Sequence, residues 1–157
     1  MSLNPFFVRG DVLSPVGEGD KIITHICNDI GGWGAGFVLS LSKKWTKPQE
    51  AYMEWFRSKD GFALGEVQFV KVQNDIVVAN MIAQRNIRPS NGVPPIRYDA
   101  LEICLAKTAD FALENSSSVH MPRIGCGLAG GEWEKVENVI RQTLLKVGIS
   151  VFVYDLR

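Results

Sequence analysis

Residues 21–36 read KIITHICNDIGGWGAG, and this stretch decides the fold. Its first half, 21–27, is a near-continuous apolar run with β-branched Ile22, Ile23, Thr24 and Ile26. Such a run suits a strand buried on both faces, the habit of parallel sheets. Its second half places four glycines in the six residues 31–36. A strand that ends in a glycine loop and then enters a helix, predicted over 36–45, is the ligand-binding unit of open α/β sheets. Glycine lets backbone N–H groups approach an anion with no Cβ in the way, and the helix N-terminus adds partial positive charge.

The same grammar recurs downstream. A strand predicted over 119–124 runs into Gly125-Cys126-Gly127-Leu128-Ala129-Gly130-Gly131 and then into a helix over 132–147, which Gly148 stops. Between the two units lie a helix over 48–57, a hairpin of strands 67–72 and 76–82 turning at 73–75, and a helix over 97–113. Short strands at 6–8 and 150–156 begin and end the chain. The second half therefore alternates strand and helix, which calls for right-handed crossovers on a largely parallel sheet. The first strand and the hairpin are expected to supply mixed-direction pairing. The fold class is α/β, and 1–157 is expected to form a single domain.

Bulk properties narrow the chemistry. The chain has 157 residues, 46% hydrophobic and 22% charged, with 17 basic and 17 acidic side chains. Those are ordinary values for a globular domain. The net charge of zero and the lack of a basic run argue against a partner held by phosphate neutralisation, such as duplex nucleic acid. A single pyrophosphate needs no lysine, because backbone amides at a helix N-terminus can hold it. No apolar stretch is long enough to span a membrane and the N-terminus has no signal-peptide pattern, so a soluble, cytoplasmic monomer is expected. Cys27, Cys104 and Cys126 are odd in number and widely spaced, which fits reduced core thiols rather than a disulfide or metal framework. No metal and no cofactor is expected. Neither a Walker P-loop nor a G-x-G-x-x-G after the first strand is present.

Individual side chains divide into site and core. Asn28, at the strand end before the glycines, is the leading catalytic candidate through positioning of a ligand or a water. Gln84 and Arg85 open a loop over 85–95 with three prolines, two asparagines and a glycine, and join Asn28 as catalytic candidates. His25 and His120 read as core histidines. Cys126 has no histidine nearby in sequence to activate it as a nucleophile. Trp33 is read either as a lid over the ligand or as a surface plug, and Trp45, Trp55 and Trp133 as core.

Three segments together, Gly10-Asp11-Val12, Asn28 with the glycines to Gly36, and Pro122-Arg123-Ile124-Gly125-Cys126-Gly127-Leu128-Ala129-Gly130, resemble a macro domain across nearly the whole chain. The last segment, Gly34-Ala35-Gly36, Trp133 and Val153-Tyr154-Asp155-Leu156 are similar to the branch holding the terminal ADP-ribose glycohydrolase and ADP-ribose 1″-phosphate phosphatases. The resemblance implies a three-layer fold with a mixed, mostly parallel sheet, and ADP-ribose or an ADP-ribosylated protein as partner. Asp11 would accept the adenine amino group and Val12 read the adenine edge. Asn28, Gly34, Ala35, Gly36 and Phe37 would face the distal ribose and diphosphate. Arg123, Ile124, Gly125, Cys126, Gly127, Leu128 and Ala129 would wrap the diphosphate, and Tyr154 and Leu156 would border the adenosine. The glycohydrolase's catalytic lysine and aspartate correspond here to Gln84 and Ala129, so a lysine adduct is not expected. The activity implied is hydrolysis of an ester at the distal ribose, on protein glutamate or aspartate or in O-acetyl-ADP-ribose. The alternatives are a 1″-phosphate phosphatase and a non-catalytic reader, with RNA or poly(A) binding as a third class.

Overall fold

The computed structural model describes residues 4–156. Six strands form one sheet: β1 (Phe6–Arg9), β2 (Lys21–Asn28), β3 (Val67–Gln73), β4 (Ile76–Gln84), β5 (Ser118–Met121) and β6 (Val151–Asp155), in spatial order β1-β6-β5-β2-β4-β3. The helices are α1 (Phe37–Lys44), α2 (Lys47–Ser58), α3 (Tyr98–Asn115) and α4 (Trp133–Thr143), with a 3₁₀ turn at Leu145–Val147. No helix among the described residues is long and apolar enough to cross a membrane.

Alternation along the central strands makes three layers. On β2, Ile22 packs under α3 and α4 with Leu101, Leu105, Val136 and Ile140, while Ile23 and Cys27 pack under α1 and α2 with Leu41 and Tyr52. On β4, Met81 and Ala83 join the first cluster and Ile76 and Val78 the second. Period-2 alternation with both faces apolar is what the continuous hydrophobic runs encode.

Several boundaries differ from the sequence expectation, each for a local reason. β1 pairs parallel with β6, so β3 alone runs antiparallel in the sheet. β4 runs on through Ala83 to Gln84, because Gln84 still finds a bridge partner in Ile96. β5 stops at Met121, since Pro122 has no N–H for the ladder. The last helix ends at Thr143 and tightens into the 3₁₀ turn before Gly148, which sits at φ 85°. Trp33 is not a surface plug. It is 7% exposed in the core beneath α1 and α2, with its indole N–H on Ser42 Oγ at 2.8 Å. Trp45, Trp55 and Trp133 are half-buried at the rims of the two clusters.

Candidate functional site

β2 and β5 are neighbours, so their glycine loops emerge side by side at the carboxyl end of the sheet. Between them lies a cavity of about 660 Å³. The loop before α1 lines one wall with Gly34, Ala35, Gly36 and Phe37, and the loop before α4 lines the other with Ile124, Gly125, Gly127, Leu128 and Ala129. They nearly touch: a Cβ on Gly36 would meet Leu128 Cδ1 at 3.3 Å. Gly36 caps α1 at φ 82°, ψ −148°, a conformation essentially confined to glycine, and no side chain caps the helix. Among the described residues, no protein acceptor takes the N–H groups of Gly34, Ala35, Gly36, Gly127, Leu128 or Ala129. Unspent amides converging from two loops, one at a helix N-terminus, form an anion cradle that needs no basic side chain.

The cradle is held from behind. A register shift between Cys27 and Asn28 sets Asn28 opposite Gln84 and turns its amide into the glycine loop. Asn28 Oδ1 accepts N–H bonds from Ile30 (3.1 Å) and Gly32 (2.9 Å), and Nδ2 donates to the Gly32 carbonyl at 2.8 Å. Tyr52 donates to Asn28 at both its carbonyl (2.7 Å) and Oδ1 (3.0 Å). Only one amide hydrogen of Asn28 is left for a ligand, so the leading catalytic candidate is first the scaffold of its own loop. Tyr52→Phe leaves the Asn28 carbonyl buried without its donor. It is expected to lower stability by about 1–2 kcal/mol, read as an earlier urea midpoint with unchanged slope.

The other loop closes on itself. Gly131 N–H donates to the Gly125 carbonyl at 2.6 Å, Gly130 to Gly127 at 3.0 Å, and Ile96 N–H to Ala129 at 3.1 Å. Cys126 turns away, its thiol on the Ile124 carbonyl at 3.5 Å. Burial pushes that thiol up, against a thiolate nucleophile, and Cys126 is absent from the cavity wall. Arg123 is committed elsewhere. Its guanidinium makes two bonds to Asp155 (2.9 and 2.7 Å) and lies between the rings of Phe7 and Trp133 at 4.9 and 4.7 Å. The pairing holds the Asp155 carboxyl below the usual range.

Of the catalytic candidates, Asn28 and Gln84 line the cavity and Arg85 does not. Gln84 is the last residue of β4, 9% exposed, with its amide N–H on the Asn86 carbonyl at 3.0 Å. Asp11, Val12, Tyr154 and Leu156 cluster at the ends of the paired strands β1 and β6, beyond the cavity wall. One Asp11 oxygen accepts the Leu13 N–H at 2.9 Å and Val12 is buried. The Tyr154 hydroxyl is spent on Val16 N–H (3.0 Å) and His120 Nδ1 (2.7 Å), whereas Leu156 is 78% exposed.

Trp33 lines the cavity, and so do residues that the sequence did not single out for it: His25, Val38, Ile87 and Arg88. His25 is 2% exposed, and its tautomer is fixed through Asn80. Asn80 donates to Pro48 and Gln68, so its Oδ1 must accept from His25 Nε2, at 2.6 Å. Nδ1 is left as a buried acceptor with no partner. Desolvation holds the ring neutral, with a pKa near 4. Ile87 and Arg88 sit in the 85–95 loop. That loop opens on a left-handed turn at Asn86 (φ 62°) and on the Asn86 N–H bond to Asp29 at 2.7 Å, neither of which is a pattern in sequence.

A three-layer α/β/α domain with an amide cradle at the carboxyl ends of parallel strands is built to hold a phosphorylated ligand. Comparison with known proteins gives the class its family. The solved structure of a Streptomyces coelicolor macrodomain protein is 47% identical, covering 97% of this chain and 99% of that one, with a TM-score of 0.87. A Bacteroides thetaiotaomicron structure is 56% identical, covering 98% of each chain, with a TM-score of 0.96. The chain belongs to the macrodomain family. Among curated proteins, the mouse chromodomain-helicase-DNA-binding protein 1-like is 32% identical over 94% of this chain. The chain spans only 15–17% of the length of that relative and its zebrafish counterpart. An ADP-ribose 1″-phosphate phosphatase of Lodderomyces elongisporus is 26% identical, covering 95% of this chain and 98% of the relative. No family model matches.

Proposed function

We propose that this chain binds ADP-ribose across the cavity and hydrolyses a conjugate of its distal ribose. The observation that carries the reading is the convergence of unspent amides from Gly34–Gly36 and Gly127–Ala129 on one cavity. The diphosphate would lie in that cradle. The adenine would lie beyond it, against the free Asp11 carboxylate oxygen and the Val12 backbone, with Leu156 alongside. The distal ribose would reach Asn28 and Gln84. The name of the phosphatase relative supports a ligand of the ADP-ribose class.

The scissile bond we favour is an ester, to a protein glutamate or aspartate or to acetate. No lysine or carboxylate lines the cavity, and an ester needs less acid assistance than an amide or a glycoside. Asn28, with its one spare amide hydrogen, would position the ribose or the attacking water, so the rate gain would come from orientation.

Isothermal titration with ADP-ribose, AMP and NAD tests the binding. Selective uptake of ADP-ribose is expected, weakened about tenfold by Asp11→Ala, the scale of one charge-assisted hydrogen bond. Uptake of none of the three would overturn the reading. Turnover of an ADP-ribosyl-glutamate peptide and of O-acetyl-ADP-ribose tests the chemistry. Binding without turnover would make the protein a reader.

A further inference from the structure

We infer that Lys44 is a positioning residue for the nucleobase end of the site: it locks the turn that aims Asp11, and so sets the preference for a purine that carries an amino group. The inference rests on the ADP-ribose reading above, which puts the adenine at Asp11, and names what holds Asp11 in place. Residues Asp11 to Ser14 form a tight turn. The Ser14 N–H donates to the Asp11 carbonyl at 3.0 Å, and the Leu13 N–H to Asp11 Oδ1 at 2.9 Å. Two consecutive peptide groups thus hold Asp11, one by its backbone and one by its carboxylate, and Oδ2 is left for a ligand. An ionised carboxylate only accepts hydrogen bonds. It pairs with the exocyclic amino group of adenine and repels a carbonyl oxygen at the same position of the ring, provided that Oδ2 keeps its aim.

The turn is anchored from outside by one cation. The Leu13 carbonyl belongs to the same peptide group as the Ser14 N–H, and it accepts from Lys44 Nζ. The Ser14 hydroxyl oxygen lies 3.5 Å from the same ammonium. A cation on the carbonyl polarises its peptide group and strengthens the N–H bond made on the other side, here the bond to Asp11. Lysines in the last turn of a helix commonly meet that helix's own final carbonyls. Lys44, the last residue of α1, instead reaches a carbonyl 31 positions away in sequence, with its ammonium 4.9 Å from the Trp45 ring centre. Burial of the Val12 and Leu13 side chains sets the depth of the turn against the core, whereas the tilt of its peptide groups is set by these hydrogen bonds. The other end of α1 borders the amide cradle through Gly36 and Phe37. One eight-residue helix therefore joins the cradle to the nucleobase turn.

The test is titration with ADP-ribose and with its hypoxanthine counterpart, in wild type, Lys44→Met, Lys44→Arg, Asp11→Ala and the Lys44→Met/Asp11→Ala double variant. Wild-type protein is expected to prefer the adenine ligand about tenfold, the scale of one charge-assisted hydrogen bond. Lys44→Met keeps an apolar stem and removes the donor, and should shrink that preference to about threefold or less. Lys44→Arg, which keeps a charged donor, should restore most of it. The ratio of two ligands on one variant cancels any general loss of stability. Lys44→Met should also cost ADP-ribose affinity in the wild-type background and almost none in Asp11→Ala, because the turn then has no carboxylate to aim. An unchanged purine preference in Lys44→Met, or equal losses in the two backgrounds, would overturn the inference alone. Wild-type binding with no preference between the purines would remove Asp11 from the nucleobase, and the inference with it. No binding of ADP-ribose would sink the reading beneath both.

Discussion

Gly131→Ala is expected to lose both stability and ligand affinity, although residue 131 lies outside the cavity wall. A Cβ there would sit 2.5 Å from the Gly125 carbonyl oxygen, 3.0 Å from Ile96 Cδ1 and 3.2 Å from the Tyr98 hydroxyl. The first of these is backbone, so the loop must open rather than a side chain swing aside. Opening breaks the 2.6 Å Gly131–Gly125 bond that closes the ring. Gly125 itself sits at φ 76°, in the left-handed region. Overpacking of this kind costs about 1–3 kcal/mol, a fall of roughly 3–10 °C in Tm for a domain of this size. The amides of Gly127–Ala129 ride on the same ring. Displacing even one from an anion costs about tenfold or more in ADP-ribose affinity. Gly127→Ala is the control for stability: its Cβ would enter open space at an ordinary φ, and Tm should stay within about 1 °C. Equal melting of the two variants would show that ring closure does not hold the loop.

That contrast also marks what the sequence can and cannot disclose. The runs at 21–27 and 76–82 announced buried strands because burial on both faces leaves few polar positions, and β2 and β4 are such strands. The two glycine loops were legible as a pair because strand, glycines and helix recur in that order, and β2 and β5 do lie side by side. The direction of β1 was not legible: four residues with no crossover helix carry no signal for parallel or antiparallel pairing. Nor was the partner of Arg123. A guanidinium beside a glycine loop suggests a phosphate, yet Asp155, 32 residues downstream, reaches it first through β6. Conversely, Arg88 was hidden inside a loop whose composition predicted a loop but not its place at the cavity, since the Asp29–Asn86 bond that ties the loop down spans 57 residues. Pair interactions of that range are fixed by the finished sheet and leave no local period.

Acid is expected to unfold the protein before its carboxylates titrate. His25 and His120 are 2% and 0% exposed and neutral, and burial lowers each pKa from 6.5 to about 4. Burial is the first reason neither ring welcomes a second proton. His25 would have to place it on Nδ1, which has no acceptor. His120 meets Tyr154 Oη at 2.7 Å through Nδ1 and Ser118 Oγ at 2.8 Å through Nε2, and its burial away from water disfavours the charged ring. The charge of the buried Lys21 disfavours it further. In the unfolded chain both rings protonate near pH 6.5. Between about pH 6.5 and 4 the unfolded state therefore binds more protons than the folded one, and stability falls as pH drops through that window. Below about 4 both states are protonated and this loss levels off. Each histidine contributes a loss on the order of a few kcal/mol, and the two together approach the whole stability of a small domain. Urea unfolding at half-unit steps from pH 7.5 to 4 should show the decline setting in near pH 6.5, well above the carboxylate range. His120→Gln should shed about half of the slope, because the remaining decline belongs to His25. A flat profile down to pH 4.5 would mean that both rings are hydrated or protonated in the fold, and the fixed tautomer of His25 at the cavity wall would have to be abandoned with it.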